Sequence, residues 1–442
     1  MPRIYIETYG CQMNVSDSEL MLGVLGREGY VRTEDPAEAD VLLVNTCAVR
    51  DHAEQRVLGR MGELKRYKQP GRVLGVVGCM AQRLGPKLLE RVPQVDLVIG
   101  PDGYRGLPEL IARARDGGER AAEVEFKEWE HYEDVPAVRD NAASGGGGAF
   151  VTVQRGCDYR CTFCIVPMTR GPERSRKLAD VVGEVTRLAA NGTTEVTLLG
   201  QTVNSYHDGE HDFADVLRAV GRGAVDGIRR LRFTSPYPTD FTERVLRAMA
   251  ETPAVCEHVH LPVQSGSSRT LKRMLRRYDR ARYLEVVAAL RQAVPGIALS
   301  TDIIVGFPGE TEADFQETLS LVEEVQFDDA FTFKYSVREG TPAVKISDHV
   351  DPEVQTERMG RLVALVRRVV RQRNIGLVGT THEVLVERPA RRGDLLQCRT
   401  RTNKIALAQG PAEWIGTYRQ VRFTGTTGST FTAWPLEQPA WA

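Results

Sequence analysis

The sequence predicts an α/β chain in three parts: an N-terminal parallel α/β domain, a central partial or full β/α barrel, and a small C-terminal all-β barrel. Three observations carry this expectation. Strand-like and helix-like stretches alternate up to residue 118 and again from residue 149. The run Gly145-Gly146-Gly147-Gly148 separates the two series. Beyond residue 376 helical periodicity stops and short strands follow one another closely. At 442 residues the chain exceeds one ordinary core, so two or three domains are expected.

The first series opens with the strand Ile4-Tyr5-Ile6. Ser16 precedes Glu19 by three positions, a capping-box pattern before Leu20-Met21-Leu22. Val41-Leu42-Leu43-Val44 reads as a buried strand, 54–68 as a helix, and Val73-Leu74-Gly75-Val76-Val77 as a third strand. Leu97-Val98-Ile99 is a fourth candidate. Such alternation implies a parallel sheet flanked by helices. Residues 1–118 therefore form one expected domain. The charged stretch from 119 and the four glycines make 119–148 a linker, because consecutive glycines hold regular structure poorly.

Residues 149–375 form the second expected domain. Strand candidates are 150–154, 195–199, 231–234, 258–262, 299–305 and 330–335, with helices such as 179–190 and 283–294 between them. About six βα units suit a β/α barrel. A helix over 352–374 closes the domain and carries Arg358, Arg361, Arg367, Arg368, Arg371 and Arg373. It could line a phosphate path or present a solvated face. In 376–440, strands are expected at 382–387, 395–400, 405–409, 418–423 and 430–434. Five short strands at this spacing suggest a small barrel of an RNA-binding kind. Arg388, Arg391, Arg392, Arg399, Arg401 and Lys404 would supply its positive charge.

A net charge of −1 excludes a globally basic nucleic-acid binder, so any basic surface must be local. No apolar run approaches the roughly 20 residues a membrane helix needs, so no membrane association is expected. Met1-Pro2-Arg3 leads straight into a strand, without the pattern of a signal or transit peptide. A cytoplasmic setting follows, where thiols stay reduced. Eight cysteines are then ligands, catalysts or core residues rather than disulfides.

Cys157, Cys161 and Cys164 stand in a Cys-x-x-x-Cys-x-x-Cys loop directly after a strand. Soft thiolates suit iron–sulfur clusters. A cubane has about four irons, so three ligands leave one open to a substrate or cofactor. Zinc is the rival, but it usually takes four protein ligands, and no fourth Cys or His lies close in sequence. Cys11, Cys47 and Cys79 each follow a strand of the first series. In a parallel sheet they would share one carboxyl edge and could hold a second three-thiolate cluster. Singly, each would more often be a small buried residue. Cys256 and Cys398 have no such partners and read as structural.

These stretches resemble the radical S-adenosylmethionine (SAM) methylthiotransferases, most of all the MiaB-type tRNA-2-methylthio-N6-dimethylallyladenosine synthases. The resemblance covers nearly the whole chain. It rests on Thr8-Tyr9-Gly10-Cys11-Gln12-Met13-Asn14, Asn45-Thr46-Cys47-Ala48-Val49-Arg50 and Cys161-Thr162-Phe163-Cys164-Ile165-Val166-Pro167-Met168-Thr169-Arg170-Gly171. Leu198-Leu199-Gly200-Gln201-Thr202-Val203-Asn204, Leu261-Pro262-Val263-Gln264-Ser265-Gly266-Ser267 and Asp302-Ile303-Ile304-Val305-Gly306-Phe307-Pro308-Gly309-Glu310 extend it. Met168 stands where Tyr is usual, and Ser235-Pro236-Tyr237-Pro238 departs from the usual Ser-His-Pro.

The resemblance implies an N-terminal methylthiotransferase domain, a radical SAM partial barrel and a TRAM-like tail. It implies two 4Fe-4S clusters and SAM as cofactors. SAM would chelate the open iron held by Cys157, Cys161 and Cys164 and be cleaved to a 5′-deoxyadenosyl radical. The radical would take hydrogen from carbon 2 of isopentenyladenosine beside the tRNA anticodon. The cluster on Cys11, Cys47 and Cys79 would hold or donate sulfur, and a second SAM would supply methyl. Phe163, Gln201, Asn204, Gln264 and Ser265 are the candidate cofactor contacts, with loop hydrogen bonding as the alternative for the last four. Gly306 to Glu310 could pass the adenosyl group or form a turn capping the helix at Thr311. Expected partners are tRNA, a flavodoxin-like or similar electron donor, and the iron–sulfur assembly machinery. Sibling activities on threonylcarbamoyladenosine or a ribosomal-protein aspartate are the nearest alternatives. A non-catalytic iron–sulfur RNA-binding sensor is the alternative of another class.

Overall fold

The computed structural model describes residues 1–48, 51–127, 130–135, 137–139, 147–221, 227–391 and 393–436, with the side chains of 51–55 left aside. Val49, Arg50, Gly145, Gly146 and Arg392 thus lie outside the described residues. The chain folds into two compact units. The first comprises Met1–Asp140, Gln154–Arg160 and Cys164–Arg176; the second comprises Asn141–Val153, Cys161–Phe163 and Lys177–Ala442.

The first unit is built on a six-stranded parallel sheet. Its strands are β1 (Arg3–Tyr9), β2 (Val31–Arg32), β3 (Val41–Thr46), β4 (Val73–Gly78), β5 (Leu97–Ile99) and β6 (Ala121–Glu123), in the order β2-β1-β3-β4-β5-β6. Every residue of β3 and β4 is buried, as central strands covered on both faces require. Leu43, Val73, Val77 and Leu97 pack with Leu20, Met21 and Leu25 of the helix Gln12–Arg27. Leu42, Val44, Leu74 and Val76 join Val57, Met61 and Leu64 of the helix Asp51–Leu64 on the other face. The strands β2 and β6 lie at the edges and are too short to leave a pattern.

The first helix begins earlier than Ser16. Cys11 is its N-cap, and the Cys11 N–H donates to Asn14 Oδ1 at 3.4 Å. Ser16 and Glu19 are instead interior and buried. Glu19 meets Arg139 at 2.7 Å. The stretch 119–148 also carries more structure than a linker. It contributes β6, and Tyr132 and Val135 enter the first unit's core. Gly148 opens the first strand of the second unit. The physical reason is that its charges are used. Arg105 pairs with Glu130 at 2.7 Å and with Asp134 at 2.8 Å, tying the segment down.

The second unit contains six parallel strands, Gly148–Thr152, Glu195–Leu199, Arg230–Phe233, His258–His260, Ala298–Val305 and Asp329–Lys334, in two three-stranded sheets. A bridge between Leu231 and Val255 connects the second sheet's approach to the first. Of the two forms expected, this is the partial β/α barrel. The helix Pro352–Ile375 follows, then a closed five-stranded barrel of Thr381–Pro389, Leu396–Thr400, Ile405–Ala408, Tyr418–Thr426 and Thr430–Pro435. Phe423 and Phe431 stack in its interior, ring centroids 4.0 Å apart.

The small barrel is seated on the amino ends of the parallel strands. Arg230 and Arg232, at the start of their strand, donate to the carbonyls of Arg399 and Arg401, both at 2.9 Å. Arg401 pairs with Glu257 at 2.8 Å, and Lys404 with Asp328 at 2.9 Å. Tyr418 meets Thr194 at 3.1 Å and lies under the Arg229 guanidinium, 3.9 Å from its ring centroid. The opposite, carboxyl edge of the strands carries Gln201, Asn204, Gln264 and Ser265.

Candidate functional site

Parallel register fixes the N-terminal cysteines. Tyr9 pairs with Thr46, and Thr46 with Gly78, so the three strands end level. Cys11, Cys47 and Cys79 follow at that common edge. Two glycines permit the approach. At Gly10 (φ +145) a Cβ would fall on Asn14 Oδ1 and 2.8 Å from the Cys47 Cβ. At Gly78 (φ +91) it would fall on Asn45 Oδ1 and 2.8 Å from the Thr46 carbonyl oxygen. Positive φ and close approach together favour glycine. Asn14 and Asn45 clamp the edge from below. Asn14 Nδ2 donates to Asn45 Oδ1 at 3.0 Å and the Thr46 carbonyl at 3.2 Å, and Asn45 Nδ2 donates to the Asn14 carbonyl at 2.7 Å.

A hydrogen bond with Cys47 holds the Cys11 thiol below its ordinary value, at about 6. Burial pushes the Cys79 thiol up, while the Arg170 charge pulls the other way. Arg170 ends the short helix Val166–Arg170, which follows the Cys157–Cys164 loop. Its Nε donates to Cys79 Sγ at 3.1 Å, and its Nη2 meets Asp17 Oδ2 at 2.6 Å. Burial works against the guanidinium charge, but Asp17 and Cys79 outweigh it. Asp17, fully buried, also accepts from Arg155 at 3.1 Å and from the Tyr104 hydroxyl at 3.3 Å. Ile165, next to Cys164, packs with Cys79 and Ala48.

As placed, the described side chains bring no three of His, Cys, Asp and Glu together tightly enough to hold a metal ion. Cys11 and Cys47 meet each other, and Cys79 is engaged by Arg170. The donor chemistry nevertheless fits a thiolate-ligated cluster. Three soft sulfur donors share one strand edge, and a buried cation stands beside one of them.

The loop cysteines divide between the two units. In the first, the Cys157 N–H donates to the Gly171 carbonyl at 3.2 Å. In the second, Cys161 is buried and accepts from Arg276 Nη1 at 3.2 Å. Arg276 lies over the rings of Tyr237 and Tyr278, 4.3 and 5.0 Å from their centroids. Phe163 packs against the cluster of Met274, Phe307, Tyr335 and Ala343. Cys256 and Cys398 are buried, 2% and 1% exposed, and burial holds the Cys398 thiol at about 12.

Residues 3–100 match a family described as uncharacterized protein family UPF0004, and residues 151–322 match the radical SAM superfamily. A tRNA-2-methylthio-N6-dimethylallyladenosine synthase of Geobacter sulfurreducens is 47% identical over 426 residues, covering 95% of this chain and 94% of the relative. One of Symbiobacterium thermophilum is 43% identical, covering 99% and 95%. The chain belongs to the tRNA-2-methylthio-N6-dimethylallyladenosine synthase family. Among solved structures, the radical SAM methyltransferase TsrM of Kitasatospora setae superposes with a TM-score of 0.59 at 19% identity, covering 78% of this chain and 77% of that one. The cobalamin-dependent radical enzyme OxsB gives 0.55 at 14% identity, covering 83% and 56%. These two speak for the fold alone.

In this synthase-family member the remaining site candidates divide. Asn204 spends both ends of its amide on Tyr237, accepting its N–H at 2.7 Å and donating to its carbonyl at 2.9 Å. The unusual Tyr237 is thus a built-in support for the Arg276 stack. Ser265 is fully buried, with Thr318 Oγ1 at 3.3 Å and the Ser267 N–H at 3.2 Å. Gln264, at φ +70, exchanges backbone hydrogen bonds with Asp302 and Ile304, at 2.8 and 2.9 Å. Gln201 is half-buried. Glu310 turns back to accept from the Gly306 N–H at 3.0 Å and from Arg358 at 2.8 Å, while Thr311 caps the next helix. That segment is a capped turn.

Several residues around the candidate site carry no signal of their own in the sequence. Arg170 stood inside a matching stretch, but nothing there tied it to Cys79. Asp17 and Arg276 gave no signal at all. Neither did one face of the strands His258–His260, Ala298–Val305 and Asp329–Lys334. Register puts Asp302 beside Phe331 and Ile304 beside Phe333. His260 meets Asp302 at 3.3 Å and lies edge-on to Phe331, which is 51% exposed.

Of the two readings of the helix Pro352–Ile375, its ion pairs favour the solvated face over the phosphate path. Arg358 pairs with Glu310, Arg361 with Glu312, Arg368 with Glu323 and Arg373 with Asp328. In the tail, Arg399 pairs with Glu387, and Arg401 and Lys404 hold the small barrel in place. Arg388 and Arg391 remain exposed.

Proposed function

We propose that this chain methylthiolates carbon 2 of N6-dimethylallyladenosine beside the anticodon of tRNA, as a radical SAM transferase with two 4Fe-4S clusters. The observation that carries the reading is the pair of three-cysteine sets within a chain that aligns almost end to end with named synthases. Cys157, Cys161 and Cys164 would hold one cluster, and Cys11, Cys47 and Cys79 the other. Bound there, the two groups supply reductive cleavage of SAM and a transferable sulfur. The protein's part is to orient and to exclude water. Arg276 supports Cys161, and Arg170 supports Cys79. Phe163, Gln201, and the face bearing His260, Asp302 and Phe331 are proposed to receive SAM and the base. Asn204, Gln264 and Ser265 would act by shaping the surrounding loops.

The relatives' names favour this reading over the siblings that act on threonylcarbamoyladenosine or a ribosomal protein, and over a sensor. No described helix is long and apolar enough to cross a membrane. We place the work in the cytoplasm, with a flavodoxin-like or similar reductant and the iron–sulfur assembly machinery as partners. The test is anaerobic incubation with SAM, reductant and matched anticodon stem-loops, with and without the dimethylallyl group. Methylthio product from the modified RNA alone is expected. Equal product from both would overturn the substrate assignment.

A further inference from the structure

Arg170 is 3% exposed, and its guanidinium is only partly spent. Nε donates to Cys79 Sγ, and Nη2 meets Asp17. The enclosed Nη1 has no hydrogen-bond partner among the described residues. An arginine this buried is costly unless an anion answers it. Asp17 answers part of the charge but is shared with Arg155. Unspent donor capacity therefore stands beside a sulfur ligand candidate.

We infer that Arg170 is a positioning residue for the N-terminal cluster, donating to the Cys79 thiolate and compensating the cluster's negative charge. This rests on the reading of Cys11, Cys47 and Cys79 as ligands. Thiolates and a 4Fe-4S core together are anionic, and an enclosed site disfavours adding an electron. Hydrogen bonds and positive charge near the sulfurs favour the reduced form. The residue also joins the two halves of the chemistry in the chain itself. It is six positions past Cys164, on the helix that begins beside that cysteine. Asp17 sets the guanidinium's direction, and Ile165 packs the same helix against Cys79.

The test uses the full-length chain with Cys157→Ala, Cys161→Ala and Cys164→Ala, reconstituted anaerobically, so that only the N-terminal cluster loads. This parent should hold about four irons per chain. Redox titration followed by electron paramagnetic resonance then reads the midpoint potential. Arg170→Gln should shift it to more negative values, and Arg170→Lys, which keeps the charge, should restore most of the shift. Loss of iron from Arg170→Gln with full loading of Arg170→Lys would support the inference equally. An unmoved potential in Arg170→Gln at full iron content would overturn it, as would equal iron loss in both variants. A parent that takes up no iron would overturn the assignment of the three cysteines itself, and the inference with it.

Discussion

Arg230 Nη1 donates to the main-chain carbonyl of Arg399 at 2.9 Å, across 169 residues of chain. The same guanidinium is fully buried, meets Glu383 at 3.1 Å and lies 4.8 Å from the Tyr418 ring centroid. Arg230→Ala should therefore leave the Arg399 carbonyl without its donor and Glu383 with Arg229 alone, and cost roughly 1–3 kcal/mol. Chemical denaturation measures this. A loss under about 1 kcal/mol would mean that the seat of the small barrel is held elsewhere.

Removing the tail after residue 374 should do more than weaken RNA binding. It uncovers Arg230, Arg232 and Asp328 and should lower the stability of what is left. Point changes separate the two effects. Trp434 is 56% exposed and lies across the strand pair from Arg422. Trp434→Ala should keep the fold and weaken tRNA binding by about 1–3 kcal/mol if a base stacks there. Binding should also weaken steeply with salt. Unchanged affinity in a folded Trp434→Ala protein would remove this residue from the RNA surface.

The two cysteine sets should fail differently. Cys157→Ala, Cys161→Ala or Cys164→Ala should abolish both 5′-deoxyadenosine formation and methylthiolation. Cys11→Ala, Cys47→Ala or Cys79→Ala should leave roughly half the iron and some 5′-deoxyadenosine, with no methylthio product. Cys256→Ser and Cys398→Ser should cost about 1 kcal/mol in stability and spare both activities. Iron assays with both products quantified decide this. Full iron and full methylthiolation in Cys47→Ala would end the idea of a second cluster on these residues.

Acid stability should depend on Asp314. Burial alone would raise its carboxyl, but hydrogen bonds from Arg269, Ser267 and Thr311 outweigh burial and hold it well below the usual range. A depressed folded value means the stabilisation is complete above the unfolded value, about 3.9, and fades as pH falls below it. Asp314→Asn should cost about 1.5–3 kcal/mol at pH 7. Its gap to the wild type should narrow as pH drops toward about 3. A gap constant with pH would show that the charge is not what matters.

Strand positions and fold class were legible wherever a strand is buried on both faces, as with Val41–Thr46 and Val73–Gly78. Such strands write their burial into unbroken apolar runs. Edge strands of two or three residues, Val31–Arg32 and Ala121–Glu123, carry no such run. The helix start was misread because Ser16 and Glu19 imitate a cap, whereas Asn14 reaches back to Cys11. Cysteine spacing singled out one candidate ligand set, and placement after successive strands the other. Their arginines were invisible because Arg170 and Cys79 are 91 positions apart, and Arg276 and Cys161 are 115 apart. The tail's arginines looked available to RNA because a sequence counts charges without showing which are already paired.

The first unit is assembled from three stretches of chain, the last ending at Arg176. Asp17, buried early in that unit, draws both its arginines from the later stretches, Arg155 and Arg170. During synthesis the first 140 residues emerge with that carboxylate still lacking both cations. The unit can close only once residue 176 has left the ribosome. By then the Cys157, Cys161 and Cys164 loop has been made as well. Cys79 therefore gains its buried arginine only after the loop carrying Cys157, Cys161 and Cys164 has been made.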